Sequence, residues 1–328
     1  MRSSMRKKKS RPCWPATRLT KAEEKRTVMP ARLLLKRQDS EGENGEAFRF
    51  LFPLLFFLSA LVMIPVLGTL ADSLYRDVSF LPGKFIGLEN YVALARDAAF
   101  WRSLRFTFLF VVVSVPLEVT LGLLMAMVLN EPFPFRGFVR ATLLIPWAIP
   151  MAISGRIFEL IFNYSYGAAN FLLNLLSLSA EPINWLGSEL GAFAALVITD
   201  TWKTTPFAAI ILLAGLSSIP RDLYEQAKVD RATLVQRFFR ITLPLLKPVL
   251  IVAFLFRTIQ ALQIFDYIYV LTGGGPGGST TSLSLFAYQY FASGDFGYGS
   301  AASVLLFLLA MALSALYLGH GAFRRRTS

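Results

Sequence analysis

Six long apolar segments divide the sequence, and each is long enough to cross a lipid bilayer as an α-helix, which takes about 20 mainly apolar residues. The segments are Phe48–Leu74, Leu104–Leu129, Val139–Phe162, Leu190–Leu216, Leu245–Leu271 and Ser300–Leu318. Composition agrees: 55% of the 328 residues are hydrophobic and 16% are charged, whereas soluble domains use roughly 45–50% apolar residues. The sequence therefore predicts an all-α integral membrane protein with six transmembrane helices.

The charged residues outside these segments define three regions. Residues 1–47 form a basic arm that is poor in aromatic residues, so we expect it to be disordered. The six-helix domain covers residues 48–320, and residues 321–328 form a basic tail. The first apolar segment is longer than the core of a signal peptide, so we expect it to be retained. Whether translation begins at Met1 or at Met29 stays open.

Lysine and arginine are unevenly distributed between the predicted connections. The connections after the second and fourth spans are basic, whereas Asn163–Glu189 and Thr272–Gly299 contain neither residue. Basic loops remain in the cytoplasm, so we expect both termini and the even-numbered connections to be cytoplasmic. The first connection is an exception, with four basic residues, and Arg105 just after it, among acidic ones. The net charge of +12 thus indicates contact with membrane lipid and not with nucleic acid.

A polar island of helix-forming residues lies in the connection between the fourth and fifth spans, at residues 219–244. Pro220 suits the beginning of a helix, and Leu223 and Ala227 have helical spacing. The pattern predicts two short amphipathic helices joined near Asp230 and Arg231. Pro244 then marks the return to the bilayer.

The spacing within this island resembles the EAA loop of permease subunits in ABC importers, most closely the sugar-permease branch of the maltose and trehalose type. The corresponding positions are Glu225, Ala227, Asp230, Arg231, Ala232, Ile241, Leu243 and Pro244. Two residues depart from the family pattern. Gln226 replaces an alanine, and Arg231 replaces the glycine that permits the bend between the two helices. Shorter similarities in the same order extend the resemblance from about Phe50 to Leu318.

The resemblance implies a type I ABC importer permease in a bacterial plasma membrane. Its eight EAA-loop residues would contact an ATPase subunit. The implied partners are a second permease, two ATPase subunits that bind ATP and Mg²⁺, and an external sugar-binding protein. The chain itself lacks the G-x-x-x-x-G-K-[ST] phosphate loop, so no cofactor and no ATPase activity are expected in it. The sugar stays open, with disaccharides such as trehalose or maltose favoured.

Charged and amide side chains inside the spans are the remaining functional signal, because such groups usually face a cavity or one another. Helical spacing predicts ion pairs between Arg156 and Glu159 and between Asp200 and Lys203. The charged residues considered also include Glu118 and Arg257. A candidate sugar path consists of Asp200, Trp202, Lys203, Gln260, Gln263, Asp266 and Tyr267. Three of these are predicted to share one face of the fifth span: Gln260, Gln263 and Tyr267. Alternatively, the glutamines only bind neighbouring helices.

Other functional classes fit the sequence less well. Gly273, Gly275 and Gly278 match G-x-G-x-x-G, but they follow an apolar helix rather than the strand that a dinucleotide site needs. The single cysteine, Cys13, and the single histidine, His320, argue against a metal site or a catalytic centre. A self-sufficient secondary transporter or channel remains the alternative, since broken helices are predicted at Pro146–Pro150 and at Pro206.

Overall fold

The computed structural model describes residues 40–179 and 181–323. It divides into two compact units, Met1–Pro65 and Val66–Ser328. Most of the basic arm and the end of the basic tail lie outside the described residues. Within the arm, the described part is helical from Ser40 onward.

The described residues are mainly helical. In chain order the helices are α1 Ser40–Leu58, α2 Ile64–Asp72, α3 Glu89–Arg96, α4 Ala98–Asn130, α5 Arg136–Leu143, α6 Ile145–Ala148, α7 Met151–Ile161, α8 Ala168–Leu175, α9 Glu189–Ser217, α10 Arg221–Val229, α11 Leu234–Arg237, α12 Leu243–Leu262, α13 Asp266–Leu271, α14 Leu283–Ala292 and α15 Phe296–Phe323. Two π-helical turns, Ser59–Met63 and Phe238–Thr242, join α1 to α2 and α11 to α12. The two described strands, β1 Tyr75–Arg76 and β2 Lys84–Phe85, pair antiparallel.

The prediction of six spans is confirmed. Five helices are long and apolar enough to cross a membrane: Phe48–Asp72, Ala98–Asn130, Glu189–Ser217, Leu234–Leu262 and Phe296–Gly319. A sixth span is formed by the pair Arg136–Ala148 and Met151–Ile161, which is bent by 88° at the break. The predicted break at Pro146–Pro150 is therefore confirmed.

Two predictions about the spans are wrong, one on a break and one on an end. No break occurs at Pro206, because α9 runs uninterrupted from Glu189 to Ser217; proline is tolerated inside a membrane helix that neighbouring helices surround, and Pro206 is buried. The fifth span ends at Leu262 and not at Leu271. The helical hydrogen bonding ends after Leu262. Just beyond it, the Ser282 hydroxyl donates a hydrogen bond of 2.7 Å to the Ile264 carbonyl.

The core lies between α4, α9 and α12, and small residues permit their close approach. A Cβ atom placed on Gly122 of α4 would lie 3.0 Å from the Cβ atom of Ala208 on α9. One placed on Gly215 would lie 2.7 Å from Leu246 on α12. The hydrophobic effect contributes little to the association of helices in lipid. Van der Waals contacts between closely packed helices therefore supply much of the stabilising energy.

The predicted connections on the side opposite residues 219–244 contain ordered elements that the sequence pattern did not indicate. These are the strand pair and α3 in the first connection, α8 in the third, and α14 in the fifth. An isolated bridge joins Val78 to Asp295. The first and fifth connections are thereby held together.

Candidate functional site

The polar island folds as the predicted helix pair. α10 ends at Val229 and α11 begins at Leu234, with a four-residue junction between them. The Thr233 hydroxyl accepts a hydrogen bond from the Gln236 amide at 3.2 Å, and the Gln236 side chain accepts one from the Thr233 amide at 2.8 Å. This capping box fixes where the second helix begins.

Arg231 makes the bend that the family pattern assigns to glycine. Its φ is +55°, in the left-handed region that favours glycine. The Arg231 amide donates to the Lys228 carbonyl at 3.0 Å, and the Ala232 amide donates to the Ala227 carbonyl at 2.9 Å. These two bonds define a Schellman motif. The arginine therefore keeps the geometry of the bend, at a conformational cost.

The side chains of the EAA-loop positions divide into exposed and packed groups. Glu225, Asp230, Arg231 and Pro244 are exposed, whereas Ala227 is buried. Ala232, Ile241 and Leu243 are half-buried. Apolar side chains also face outward here, with Val229 83% and Leu234 76% exposed. The elbow, defined as residues 219–244, thus offers a surface of mixed charged and apolar character.

Glu225 forms an exposed ion pair at the centre of the elbow. The Lys228 ammonium lies 2.8 Å from the Glu225 carboxylate. This hydrogen bond and the positive charge of Lys228 lower the pKa of Glu225 below its ordinary value. The carboxylate is therefore ionised throughout the neutral and weakly acidic range.

The second helix of the elbow continues into the membrane without interruption. Residues Leu234–Leu262 form one helix of 29 residues, which at about 1.5 Å per residue spans about 43 Å. Its far end, at Leu262, therefore lies deep in the membrane domain, remote from the elbow. Arg257 lies within the last two turns before that end.

Arg257 is at the centre of a buried ionic cluster, which we call the Arg257 cluster and define as Glu118, Asp200, Arg257 and Tyr267. The Arg257 Nε atom donates to Glu118 Oε2 at 2.6 Å, and Nη2 lies 3.3 Å from both carboxylate oxygens of Asp200. The Tyr267 hydroxyl donates to Asp200 Oδ1. The three charged side chains are at most 2% exposed. The cluster therefore joins α4, α9, α12 and α13 at one buried point.

Lys203 does not pair with Asp200, so that prediction is wrong. Its ammonium donates to the carbonyl groups of Pro146 at 3.4 Å and Trp147 at 3.2 Å, and also to the Ile149 carbonyl. The bend of the third span removes the helical partners of these carbonyl groups. Lys203 therefore stabilises the break, and the dipole at the end of α6 favours its positive charge. The other predicted pair is confirmed, with 2.6 Å between Arg156 and Glu159.

The remaining residues of the candidate sugar path are not gathered at one place. Trp202 packs edge-on against Phe158 with 5.3 Å between ring centroids. Gln263 and Asp266 are exposed on either side of the break after Leu262. The predicted shared face is wrong because the helix ends between Gln260 and Tyr267. Tyr267 instead belongs to the Arg257 cluster, and the Gln260 side chain accepts a hydrogen bond from Arg257 at 2.5 Å.

Sequence reasoning missed the pairing of Glu118 with Arg257. Both residues stood out as charges within apolar segments, but 139 positions separate them and no local spacing relates them. Within residues 40–179 and 181–323, no group of three or more His, Cys, Asp or Glu side chains could hold a metal ion.

Six spans, a broken third span and an amphipathic elbow define the class of multi-pass transport subunits. Residues 118–327 match the family model of the binding-protein-dependent transport system inner membrane component. The match covers more than half of the chain, and the chain belongs to this family. It is a permease subunit of an ABC importer and a multi-pass inner membrane protein.

Several proteins are similar over most of their length. The trehalose/maltose transport system permease protein MalF of Thermococcus litoralis is 53% identical over 85% of this chain and 94% of that protein. The sulfoquinovosyl glycerol transport system permease protein SmoG of Agrobacterium fabrum is 45% identical over 84% and 90%. The trehalose transport system permease protein SugA of Mycobacterium tuberculosis is 36% identical over 81% and 85%.

The fold is also similar to solved structures. A chain of a bacterial ABC transporter that imports the acidic polysaccharide alginate has a TM-score of 0.75 and 24% identity, over 88% of this chain and 98% of that chain. A chain of the bacterial alginate ABC transporter in complex with an alginate pentasaccharide-bound periplasmic protein has a TM-score of 0.76 and 22% identity, over 89% and 99%. These similarities confirm the type I permease fold.

Proposed function

We propose that this permease forms, with a second similar permease, the path for a sugar delivered by an external binding protein. The substrate is a disaccharide such as trehalose or maltose. Support comes from the names of the similar proteins, three of which are permeases for sugars or a sugar glycoside. Trp202, Gln263 and Asp266 remain candidates for contact with the sugar, because their partly or fully exposed side chains combine an aromatic face with hydrogen-bonding groups.

The observation that carries the proposal is the elbow and its direct connection to the Arg257 cluster. Exposed apolar side chains beside exposed charges are typical of a surface that binds another protein. The partner is a cytoplasmic ATPase, two copies of which bind ATP and Mg²⁺ beneath the two permeases. The elbow docks on one of them through Glu225, Asp230 and Arg231. Both termini lie on the same cytoplasmic side.

Transport then follows from the rigidity of the elbow and its helix. When the ATPase dimer closes on ATP, the elbow moves and Leu234–Leu262 moves with it. The Arg257 cluster, at the far end of this helix, transmits the movement to α4, α9 and α13. The outward-open state is favoured by ATP and by the loaded binding protein together, since a ligand shifts the equilibrium only through different affinities for the two states. Hydrolysis restores the inward-open state.

Copurification and reconstitution test this function. The tagged chain should isolate a second permease and an ATPase, and the complex should take up sugar in liposomes only with ATP and the binding protein. A control omits the ATPase subunits. Uptake by the purified chain alone, with no companion protein, would overturn the proposal and support a self-sufficient secondary transporter.

A further inference from the structure

A cavity of about 510 Å³ opens where α4 begins and where the connection between α13 and α14 folds over it. We call it the outer cavity. The other end of α4, at Asn130, lies beside Ser217 at the start of the elbow. Since α4 has 33 residues, about 50 Å separates the outer cavity from the elbow. The cavity therefore lies on the external side in the proposed orientation.

The lining of the outer cavity is polar and contains one cationic group. It includes Arg102, Ser103, Thr272, Thr281, Gln289 and Tyr290. The side chains of Arg102 and Gln289 make no hydrogen bond or ion pair with any other described residue, although most polar groups nearby are paired. No Asp or Glu lines the cavity. Both side chains are exposed, so their guanidinium and amide donors are free to bind a ligand at the cavity.

The glycine-rich wall of the cavity is held in one shape. Thr280 Oγ1 donates to the Gly275 carbonyl at 2.6 Å, and Thr281 Oγ1 donates to the Gly274 carbonyl at 3.3 Å. Gly274 has φ of +90°, and a Cβ atom there would lie 2.7 Å from Thr281 Oγ1, so only glycine fits. Gly273 has φ of +59° and open space around it. The wall thus presents fixed, uncovered backbone to the cavity.

These features fit a carbohydrate. The cavity volume is within the range of about 300–1,000 Å³ that is usual for small-molecule sites, and a polar lining suits the hydroxyl groups of a sugar. Arg102 and Gln289 would donate to sugar hydroxyl groups. Tyr290, a half-buried residue whose ring packs on the buried Phe286 with 4.9 Å between centroids, would lie against the apolar face of the sugar ring.

We propose that the outer cavity is a receiving site that binds the sugar on its way from the binding protein to the path between the permeases. The proposal rests on the function proposed above. The Gly273 amide donates to the Ile268 carbonyl of α13 at 2.9 Å, and α13 also carries Tyr267 of the Arg257 cluster. A sugar in the outer cavity would therefore contact a segment that is hydrogen-bonded to the helix carrying Tyr267.

Protection of an introduced thiol tests the receiving site on the assembled transporter. In a Cys13→Ser background, Gln289→Cys places the reactive thiol at the cavity, and Arg105→Cys is the matched control on an exposed position of α4 outside it. Millimolar trehalose or maltose should slow labelling of Gln289→Cys by a polar maleimide severalfold and leave Arg105→Cys unchanged. Adding Arg102→Ala to Gln289→Cys should remove the protection.

Two results would overturn the receiving site. One is equal labelling of Gln289→Cys with and without a panel of mono- and disaccharides. The other is protection by the sugar-free binding protein alone, which would make the cavity a protein-docking face. Labelling needs neither ATP nor uptake, so sugar-dependent ATPase activity of the same samples reports separately on the proposed function.

Discussion

The Arg257 guanidinium lies 2.6 Å from the Glu118 carboxylate, although 139 residues separate them along the chain and both are buried. Arg257 reaches Asp200 as well, so one cation is shared between two carboxylates. A buried charge is tolerated only with such partners. The contact therefore fixes how the long helix of the elbow packs against α4 and α9.

Removing the shared cation should destabilise the protein strongly. Arg257→Met leaves two buried carboxylates without their partner, and we expect the free energy of unfolding to fall by about 3–5 kcal/mol. Titration with a denaturing detergent in mixed micelles measures it. Arg156→Met, which breaks the exposed pair with Glu159, is the control and should cost about 1 kcal/mol or less. Equal effects of the two variants would contradict this role of Arg257.

Glycine at position 231 should stabilise the elbow. Arg231 has φ of +55°, and the left-handed conformation costs a residue other than glycine about 1 kcal/mol. Arg231→Gly should therefore slow hydrogen exchange of the Ala232 amide by up to about tenfold, with Arg231→Lys as the control that gains nothing. Faster exchange in Arg231→Gly would show that the arginine side chain stabilises the bend.

Charge reversal at the elbow should separate ATP turnover from uptake. Glu225→Lys keeps the helix but replaces the anion beside Lys228 with a second cation, so the docking surface no longer matches its partner. We expect ATP hydrolysis without sugar uptake by reconstituted vesicles. Glu89→Lys, which also reverses an acidic partner in an exposed ion pair, should transport normally. Unchanged uptake by Glu225→Lys would remove Glu225 from the coupling surface.

The pH dependence of coupling should follow the Glu225–Lys228 pair. Lys228 lowers the pKa of Glu225 in the folded state, so the ion pair is present above the unfolded-state pKa and is lost as pH falls through the folded-state pKa. Lys228→Gln removes this effect. The pH at which the ratio of sugar uptake to ATP hydrolysis falls to half its maximum, on the acid side, should therefore rise. Lys84→Gln, in β2, should leave the midpoint in place. No shift in Lys228→Gln would contradict this assignment.

Lys203 should stabilise the break in the third span. Lys203→Met leaves the carbonyl groups of Pro146, Trp147 and Ile149 without this donor. We expect a loss of about 1–3 kcal/mol, the cost of buried polar groups left unsatisfied, in the same detergent titration. Lys203→Arg, which keeps donors, should lose less. Lys247→Met, at an exposed lysine, is the control, and a loss of the same size there would contradict the prediction.

Local patterns in the sequence predict local structure in this chain. Apolar length alone places the spans, and helical spacing with Pro220 and the polar residues near Asp230 places the two helices of the elbow. The break at Pro146–Pro150 follows from two prolines four positions apart. Each of these inferences depends on interactions within a few residues, which the sequence displays directly.

The misplaced features depend on contacts between distant residues. The fifth span stops at Leu262, and just beyond that end Ser282, from another segment, binds the Ile264 carbonyl. Lys203 binds carbonyl groups more than 50 positions away in place of its helical neighbour Asp200. α9 continues through Pro206, which is buried among residues distant in the sequence. Periodic patterns in the sequence do not indicate contacts between distant residues. Single residues of the sugar path could therefore be proposed, but their positions relative to one another could not be predicted.

The hydrogen bond from Ser282 to the Ile264 carbonyl has a mechanical consequence. It ties the joint that follows the fifth transmembrane helix to the segment that begins α14, on the far side of the membrane from the elbow. Bending of the joint has to break this hydrogen bond or move the segment that begins α14. Through Ser282, movement at the end of the fifth transmembrane helix is coupled to movement of α14.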